Sequence, residues 1–388
     1  MVKYNKGDDF VSNIIDYIKW RGDISFDVDP FNEIDALIFS ELTYIPFELI
    51  LNDSEKGESL SNLATKFFSK SDKDIKMGAI IPEDKIKETF NLVSTSKRFK
   101  DVTLKHYLNI FSKEEEKQFC GMCFVINKDY ACISYRGTDD TLVGWKEDFN
   151  MSFNTPIPAQ LEAVKHLNTI GAKSRKKLYV CGHSKGGNLA SYAALFADAR
   201  VKKKIVNVFS FDGPGFRAEF LESINDEETK AKTIKFLPLS SIIGMIYDPV
   251  GTCVYLKSLG KGMYQHDAFN WQVLSNKFEL VEGPDKTSLD VHNLLNKWTA
   301  SMSKEERIEF VEALYKLVTV NDTATLSDIA SDKFKFILGI IKSDGSTKKV
   351  FLSAINRLIK EKYFKKVEKK SKASKKDTST VKDETSHG

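Results

Sequence analysis

One segment constrains the fold more than any other: Leu178-Tyr-Val-Cys181, then Gly182-His183-Ser184-Lys185-Gly186-Gly187, then an Ala-rich helical run. A short, continuously apolar run reads as a strand buried on both faces, which belongs inside a parallel sheet covered by helices. Comparable runs recur at Ile205–Phe211 and Thr233–Leu237. Between them lie stretches with helical spacing, at Ala159–Ala172, Gly187–Ala199 and Arg217–Glu228. Strands alternating with helices imply right-handed βαβ crossovers. The expected fold class is therefore α/β, with a mainly parallel central sheet flanked by helices. Gln118–Asn127 and Tyr130–Arg136 read as two strands joined by Lys128-Asp129, and Thr252–Leu256 and Trp271–Leu280 as strand-like pieces nearer an edge.

Around this core the pattern is helical. Residues 8–20, 31–42 and 82–98 carry helical spacing, and the polar Ser/Lys-rich stretch 52–75 reads as a connection with some helix. Residues 1–115 are thus expected to form an N-terminal helical segment packed on a core of 116–300. A C-terminal helical extension follows over 301–366. It opens with capping-box spacing at Ser303–Glu306 and continues in amphipathic stretches near 326–342 and 348–366. The Lys-rich tail, 367–388, nearly lacks apolar groups and is expected to be disordered.

Composition excludes several classes. Hydrophobic residues at 41% and charged residues at 29% describe a globular chain. No run approaches the roughly 20 apolar residues of a membrane-spanning helix. The N-terminus lacks a signal peptide's apolar stretch, so a cytoplasmic location is expected. The net charge of +4 is local, because Ile359–Gly388 carries ten Lys against five acidic residues. The rest of the chain is close to neutral, which disfavours a nucleic-acid partner. Lys360, Lys362, Lys365, Lys366, Lys369, Lys370 and Lys372, with Tyr363 and Phe364, offer a peripheral contact to an anionic membrane, against the plainer reading of a solvated helix end. Oligomeric state leaves no trace in the sequence. Cys120-Gly-Met-Cys123 is a lone C-x-x-C without the second pair that a zinc site uses.

The turn Gly182–Gly186 is G-x-S-x-G in the strand–turn–helix context that gives the motif meaning. Such a turn lifts a serine hydroxyl clear of the sheet and points helix-start N–H groups at a developing negative charge. Ser184 is thus the candidate nucleophile. The phosphate-cradling alternative needs G-x-x-x-x-G-K-[ST], which this segment does not contain. The N–H of Lys185 is one oxyanion donor, and the strand exit Tyr135-Arg136-Gly137-Thr138 can supply the other.

Four stretches in order then carry a resemblance: Ile133-Ser-Tyr-Arg-Gly-Thr138, Trp145-Lys-Glu-Asp-Phe149, Gly-His-Ser-Lys-Gly at 182–186, and Phe211-Asp-Gly-Pro-Gly215. Together they resemble class 3 (fungal-type) lipases. With Gln265-His-Asp and Trp271-Gln272, the chain is most similar to an uncharacterised bacterial branch of that lipase-like α/β-hydrolase group. The resemblance covers about residues 30–300. It implies Ser184 as nucleophile, Thr138 as oxyanion donor and a lid in Thr141–Phe153 led by Trp145.

The general base must follow Ser184 on a loop at the carboxyl edge. His266 is preferred and His292 stays open. For the acid the chain departs from the lipase pattern, because Ser240 and Ser241 stand where an Asp is expected after Thr233–Leu237. Asp212 is preferred on geometry, Asp248 is an alternative, and a missing acid is the third possibility. The expected function is a serine hydrolase cleaving carboxylic esters through an acyl-enzyme on Ser184. Its partner would be a small-molecule or lipid ester, with no cofactor and no metal. The alternative is a catalytically weak or inactive binding protein on the same fold.

Overall fold

The computed structural model describes residues 12–71, 82–138, 142–151, 155–319 and 343–360. The stretches expected to be helical near 326–342 and to be a disordered tail at 367–388 lie outside them. The chain forms two compact units, with the division between Leu289 and Asp290.

The first unit opens with α1 (Ile14–Arg21) and α2 (Glu33–Leu42). Each starts at an asparagine whose side chain accepts from helix-start N–H groups, while an aspartate three residues on reaches back. A short strand β1 (Glu58–Ser59), α3 (Leu60–Phe68) and α4 (Glu83–Thr95) follow. Then come β2 (Thr103–Ser112), β3 (Lys117–Val125) and β4 (Tyr130–Tyr135). The crossover helices α5 (Leu142–Asn150) and α6 (Pro158–Lys173) lead to β5 (Lys177–His183), and α7 (Lys185–Phe196) and α8 (Ala199–Lys202) lead to β6 (Ile205–Phe211). Next are α9 (Ala218–Glu222), α10 (Glu227–Lys232), β7 (Thr233–Pro238) and β8 (Thr252–Leu256). A small hairpin of β9 (Val273–Leu274) and β10 (Lys277–Phe278) stands apart from the main sheet.

The main sheet has eight strands in simple sequence order. β1 to β4 pair antiparallel, and β4 to β8 pair parallel. Right-handed crossovers between parallel strands in sequential order all fall on one face. Accordingly, Ala163 and Leu167 of α6 and Leu189, Ala190 and Ala193 of α7 pack with Phe119, Ile133 and Val180 on that face. The opposite face would be bare. The N-terminal helices cover it: Leu37, Phe39, Leu63 and Phe90 share a core with Phe124, Cys132, Cys181 and Phe211. Cys120 and Cys123 enter opposite cores, as a spacing of three on a strand requires. All five cysteines are free, and four are buried.

Burying α2 calls for a buried charge pair. Arg98 Nε and Nη2 meet Asp35 at 2.8 and 2.5 Å, and Arg98 also donates to the carbonyls of Ile24, Asp29 and Pro30. That fan of bonds fixes the connection between α1 and α2 over the sheet. Two features depart from the sequence pattern. β2 was invisible to period-two reading because a bulge interrupts its register between Lys105 and Leu108, with His106 at φ 51°. The stretch Arg217–Glu228 is two short helices, α9 and α10, rather than one.

The second unit contains the remainder of α11 (Lys286–Ala300), α12 (Lys304–Thr319) and helical turns over 345–360. Trp298 Nε1 donates to Ala354 O at 2.8 Å, Phe310 stacks on Phe351 at 6.1 Å, and Arg357 pairs with Glu306.

His166 on α6 makes the first unit's stability pH-dependent. Its Nε2 lies 2.8 Å from His106 O, and its ring stands edge-on to Phe119 and Tyr135. Burial pushes it down from 6.5 to about 4. The unfolded chain therefore takes up a proton that the folded chain refuses, so stability is full above pH 6.5 and falls between 6.5 and about 4. This group alone contributes about 3 kcal/mol to that fall. Urea denaturation at stepped pH is expected to show the loss, with a shallower slope over the same window in His166→Gln. Equal slopes in the two proteins would contradict it.

Candidate active site

The parallel strands deliver their loops to one edge. Thr138 follows β4, Ser184 follows β5, Asp212 follows β6 and Ser241 follows β7. Ser184 is half-buried, with φ 57° and ψ −131°. An L-residue is strained there by about 1–3 kcal/mol, so the surroundings must hold it. The hold is a backbone crossing. A Cβ on Gly182 would stand 2.2 Å from the carbonyl carbon of Gly186, and one on Gly186 would stand 2.1 Å from Tyr135 O. Only glycine fits at either place. Ser184 N–H donates to Phe211 O at 2.9 Å, which ties the elbow to the end of β6. The segment after β4, at Gly137, runs so close that a Cβ there would come within 3.1 Å of Ser184 Cβ. Lys185 is the first residue of α7, so its N–H has no intrahelical carbonyl partner.

Asp212, at φ 48° and fully buried, turns its carboxylate to a histidine. His266 Nδ1 lies 2.6 Å from Asp212 Oδ2. The other oxygen, Oδ1, accepts from Ser241 Oγ at 2.5 Å. Ser241, where the resemblance implied an Asp, thus serves instead as a donor to the Asp212 carboxylate. Lys235, buried on β7, is pushed down to about 8 by burial despite the nearby carboxylates of Asp212 and Asp248. Asn188 Nδ2 secures the loop after Asp212 by donating to Pro214 O and Gly215 O at 3.1 and 3.2 Å. With Nδ1 committed to Asp212, Nε2 of His266 is the ring nitrogen left for proton transfer, and the His266 side chain is 23% exposed.

The loop holding His266 explains its motif. Gln265 Oε1 accepts from Ser240 N at 3.2 Å and its Nε2 donates to Gly260 O at 2.5 Å. Asp267 caps the turn at Phe269, and the buried Trp271 donates to Gln265 O at 2.8 Å. The backbone of Asp248 bridges that of Phe216 in both directions. His292 is on α11 in the second unit, where Nε2 meets Asn296 Nδ2 at 3.2 Å.

The segment expected to be a lid contains α5, and its charged residues are anchors. The side chain of Trp145 and residues 141, 152 and 153 lie outside the described residues. Glu147 is fully buried and accepts from Lys185 Nζ at 3.0 Å, Gln118 N at 3.2 Å and Ala159 N at 3.0 Å. Lys185 Nζ also donates to Gln118 O and Oε1 at 3.0 and 2.6 Å. Lys146 pairs with Glu116 at 2.6 Å, and Thr138 Oγ1 donates to Asp148. The side chains of Lys185 and Thr138 are therefore both fastened to α5. Sequence reading missed Glu147 and Asp148 in these roles. Their signal was two adjacent acidic residues after Lys146 in the stretch expected to be a lid.

Sequential parallel strands, a serine elbow after β5 and a histidine loop after β8 define a lipase-like α/β-hydrolase fold. The profile of the Mbeg1-like family matches residues 93–316, and the chain belongs to that family. No curated protein matches it. Among solved structures it is similar to a mutant of MDLA from Penicillium cyclopium, at 12% identity over 66% of this chain and 91% of that one, with a TM-score of 0.38. It is also similar to a fungal lipase at 11% identity, over 66% of this chain and 87% of that one, with a TM-score of 0.39. A lipase from Rhizopus microsporus var. chinensis shares 14% identity over 53% of this chain and 72% of that one, with a TM-score of 0.32.

The buried Lys185–Glu147 pair yields a double-variant test. Lys185→Met leaves Glu147 buried without its cation and is expected to cost about 3–5 kcal/mol in urea denaturation. Adding Glu147→Gln removes the orphaned charge and is expected to recover more than half of that loss. Additive losses would show that the pair does not couple.

Proposed function

We propose that this protein is a serine hydrolase that cleaves carboxylic esters, with Ser184, His266 and Asp212 as its catalytic residues. The observation that carries the reading is the 2.6 Å bond from His266 Nδ1 to the buried carboxylate of Asp212, at the strand end next to the strained Ser184. A His–Asp pair fixes the ring tautomer, and a serine at a sharp bend is an exposed nucleophile.

In this mechanism Ser184 Oγ attacks the ester carbonyl carbon while its proton passes to His266 Nε2. The carbonyl oxygen takes up the negative charge, held by the N–H groups of Lys185 and Thr138. As the tetrahedral centre collapses, the C–O bond to the alcohol breaks and His266 gives its proton to the departing oxygen. Water then attacks the acyl-enzyme by the same route and releases the acid. The chemistry calls on no cofactor. An acyl-lipid or related small ester is the substrate class that the resemblance to lipases suggests. The case for an inactive binding protein rested on the missing acid after β7, and Asp212 supplies a carboxylate from the neighbouring strand.

The test is fluorophosphonate labelling together with turnover of a p-nitrophenyl ester. Ser184→Ala is expected to abolish both. Asp212→Asn should lower kcat by about 10³–10⁴-fold. Ser241→Ala, which removes one bond to Asp212, should lower kcat/KM about tenfold. Asp248→Asn should leave turnover unchanged. Labelling that survives in Ser184→Ala would sink the proposal, as would full activity in Asp212→Asn.

A further inference from the structure

Another buried acid stands beside the site. Glu41, on α2, is fully buried, and among the described residues neither of its carboxyl oxygens has a hydrogen-bond partner. His183 faces it: its Nδ1 lies 3.4 Å from Glu41 Oε1 and is likewise without a hydrogen bond. Two unsatisfied buried groups facing each other are expensive to keep unless a proton is shared between them.

The direction of that proton follows from the other side of the ring. His183 Nε2 lies 2.9 Å from the backbone carbonyl of His266. A carbonyl only accepts, so Nε2 carries the hydrogen. Burial, with the His266 imidazole alongside, holds His183 well below the usual histidine range, so its ring is neutral. Nδ1 is then an acceptor. Only a protonated Glu41 can donate to it. Burial, reinforced by Asp267, pushes Glu41 well above the usual carboxylate range, which supplies that proton.

We propose that Glu41 is a positioning residue that acts through His183 on His266. The sequence of bonds is Glu41 O–H to His183 Nδ1, then His183 Nε2–H to His266 O. The His183 ring also stacks on that of His266, with centroids 4.6 Å apart at 29°, and stands edge-on to Trp271 at 5.8 Å. Asp212 holds the ring of His266 from one side, and Glu41 and His183 hold its backbone and ring face from the other. Glu41 touches no reacting atom. The proposal rests on the hydrolase reading above and adds a residue that N-terminal α2 contributes to it.

Two variants and one spectrum test it. Glu41→Gln keeps a donor of the same shape and is expected to retain kcat within about threefold, whereas Glu41→Leu should lower kcat by about 10–100-fold with KM little changed. Glu41→Leu leaves the buried His183 Nδ1 without its donor, so its Tm should fall while that of Glu41→Gln holds. Imidazole ¹⁵N spectra of the wild-type protein should show His183 as the neutral Nε2–H tautomer, with an Nδ1 resonance that moves in Glu41→Leu. The proposal is overturned by a doubly protonated His183, by an Nδ1 resonance indifferent to Glu41→Leu, or by Glu41→Gln failing as badly as Glu41→Leu. A wild-type protein that a fluorophosphonate does not label overturns the hydrolase reading instead, and the Nδ1 resonance still decides the Glu41 contact.

Discussion

Everything at the candidate site depends on a backbone crossing with no room for a side chain. Gly182, Gly186 and Tyr135 approach so closely that any Cβ at either glycine would meet main-chain atoms. That contact holds Ser184 at φ 57°, a conformation that an unconstrained serine would leave. The same crossing fixes where α7 begins, and hence where its first N–H groups point. It also sets β4 beside β5, which brings Gly137 and Thr138 alongside the serine. Strain at one residue is thus sustained by packing over three strands.

Around this point the polar groups form two connected sets. On one side, Ser241 and His266 share the carboxylate of Asp212, and Gln265 and Trp271 hold the loop that brings the histidine in. On the other, Lys185, Glu147 and Gln118 make a buried set that joins the elbow to α5, with Asp148 reaching Thr138. Buried ion pairs add little net stability, since desolvation offsets most of the attraction. Their effect here is geometric. They keep Ser184, the strand exit and α5 in one register.

The central sheet was legible because Leu178–Cys181 is continuously apolar, Ile205–Phe211 and Thr233–Leu237 are short and largely apolar, and the three are separated by helical spacing. The elbow was legible because its glycines are a backbone requirement. β2 was not, because the bulge at His106 breaks the alternation that marks a strand. The histidine and acid were readable only as alternatives, since which side chains meet depends on loops that sequence spacing does not orient. Asp212 was favoured for its place at a strand end, and it is the carboxylate that meets His266. The meaning of Ser241 was hidden: it reads as a missing acid until the bond to Asp212 is seen. Glu41 was hidden too, as a polar residue beside Ser40 in the otherwise apolar stretch Ala36–Leu42. Its burial becomes visible only when α2 is laid across β4, β5 and β6.

The sequential strand order accounts for the role of the N-terminal helices. Crossovers on a single face leave the other exposed, and a sheet this apolar cannot remain so in water. α1 to α4 cover it, and in doing so bring Glu41 against His183.

The most direct test is a crystal structure of the protein after reaction with an alkyl phosphonate ester. The account predicts phosphorus bonded to Ser184 Oγ, with one phosphonyl oxygen accepting from the N–H groups of Lys185 and Thr138. His266 Nε2 should lie within hydrogen-bond distance of Ser184 Oγ while Nδ1 stays on Asp212. An adduct on any other residue, or a Ser184 adduct with the His266 ring away from it, would contradict the account.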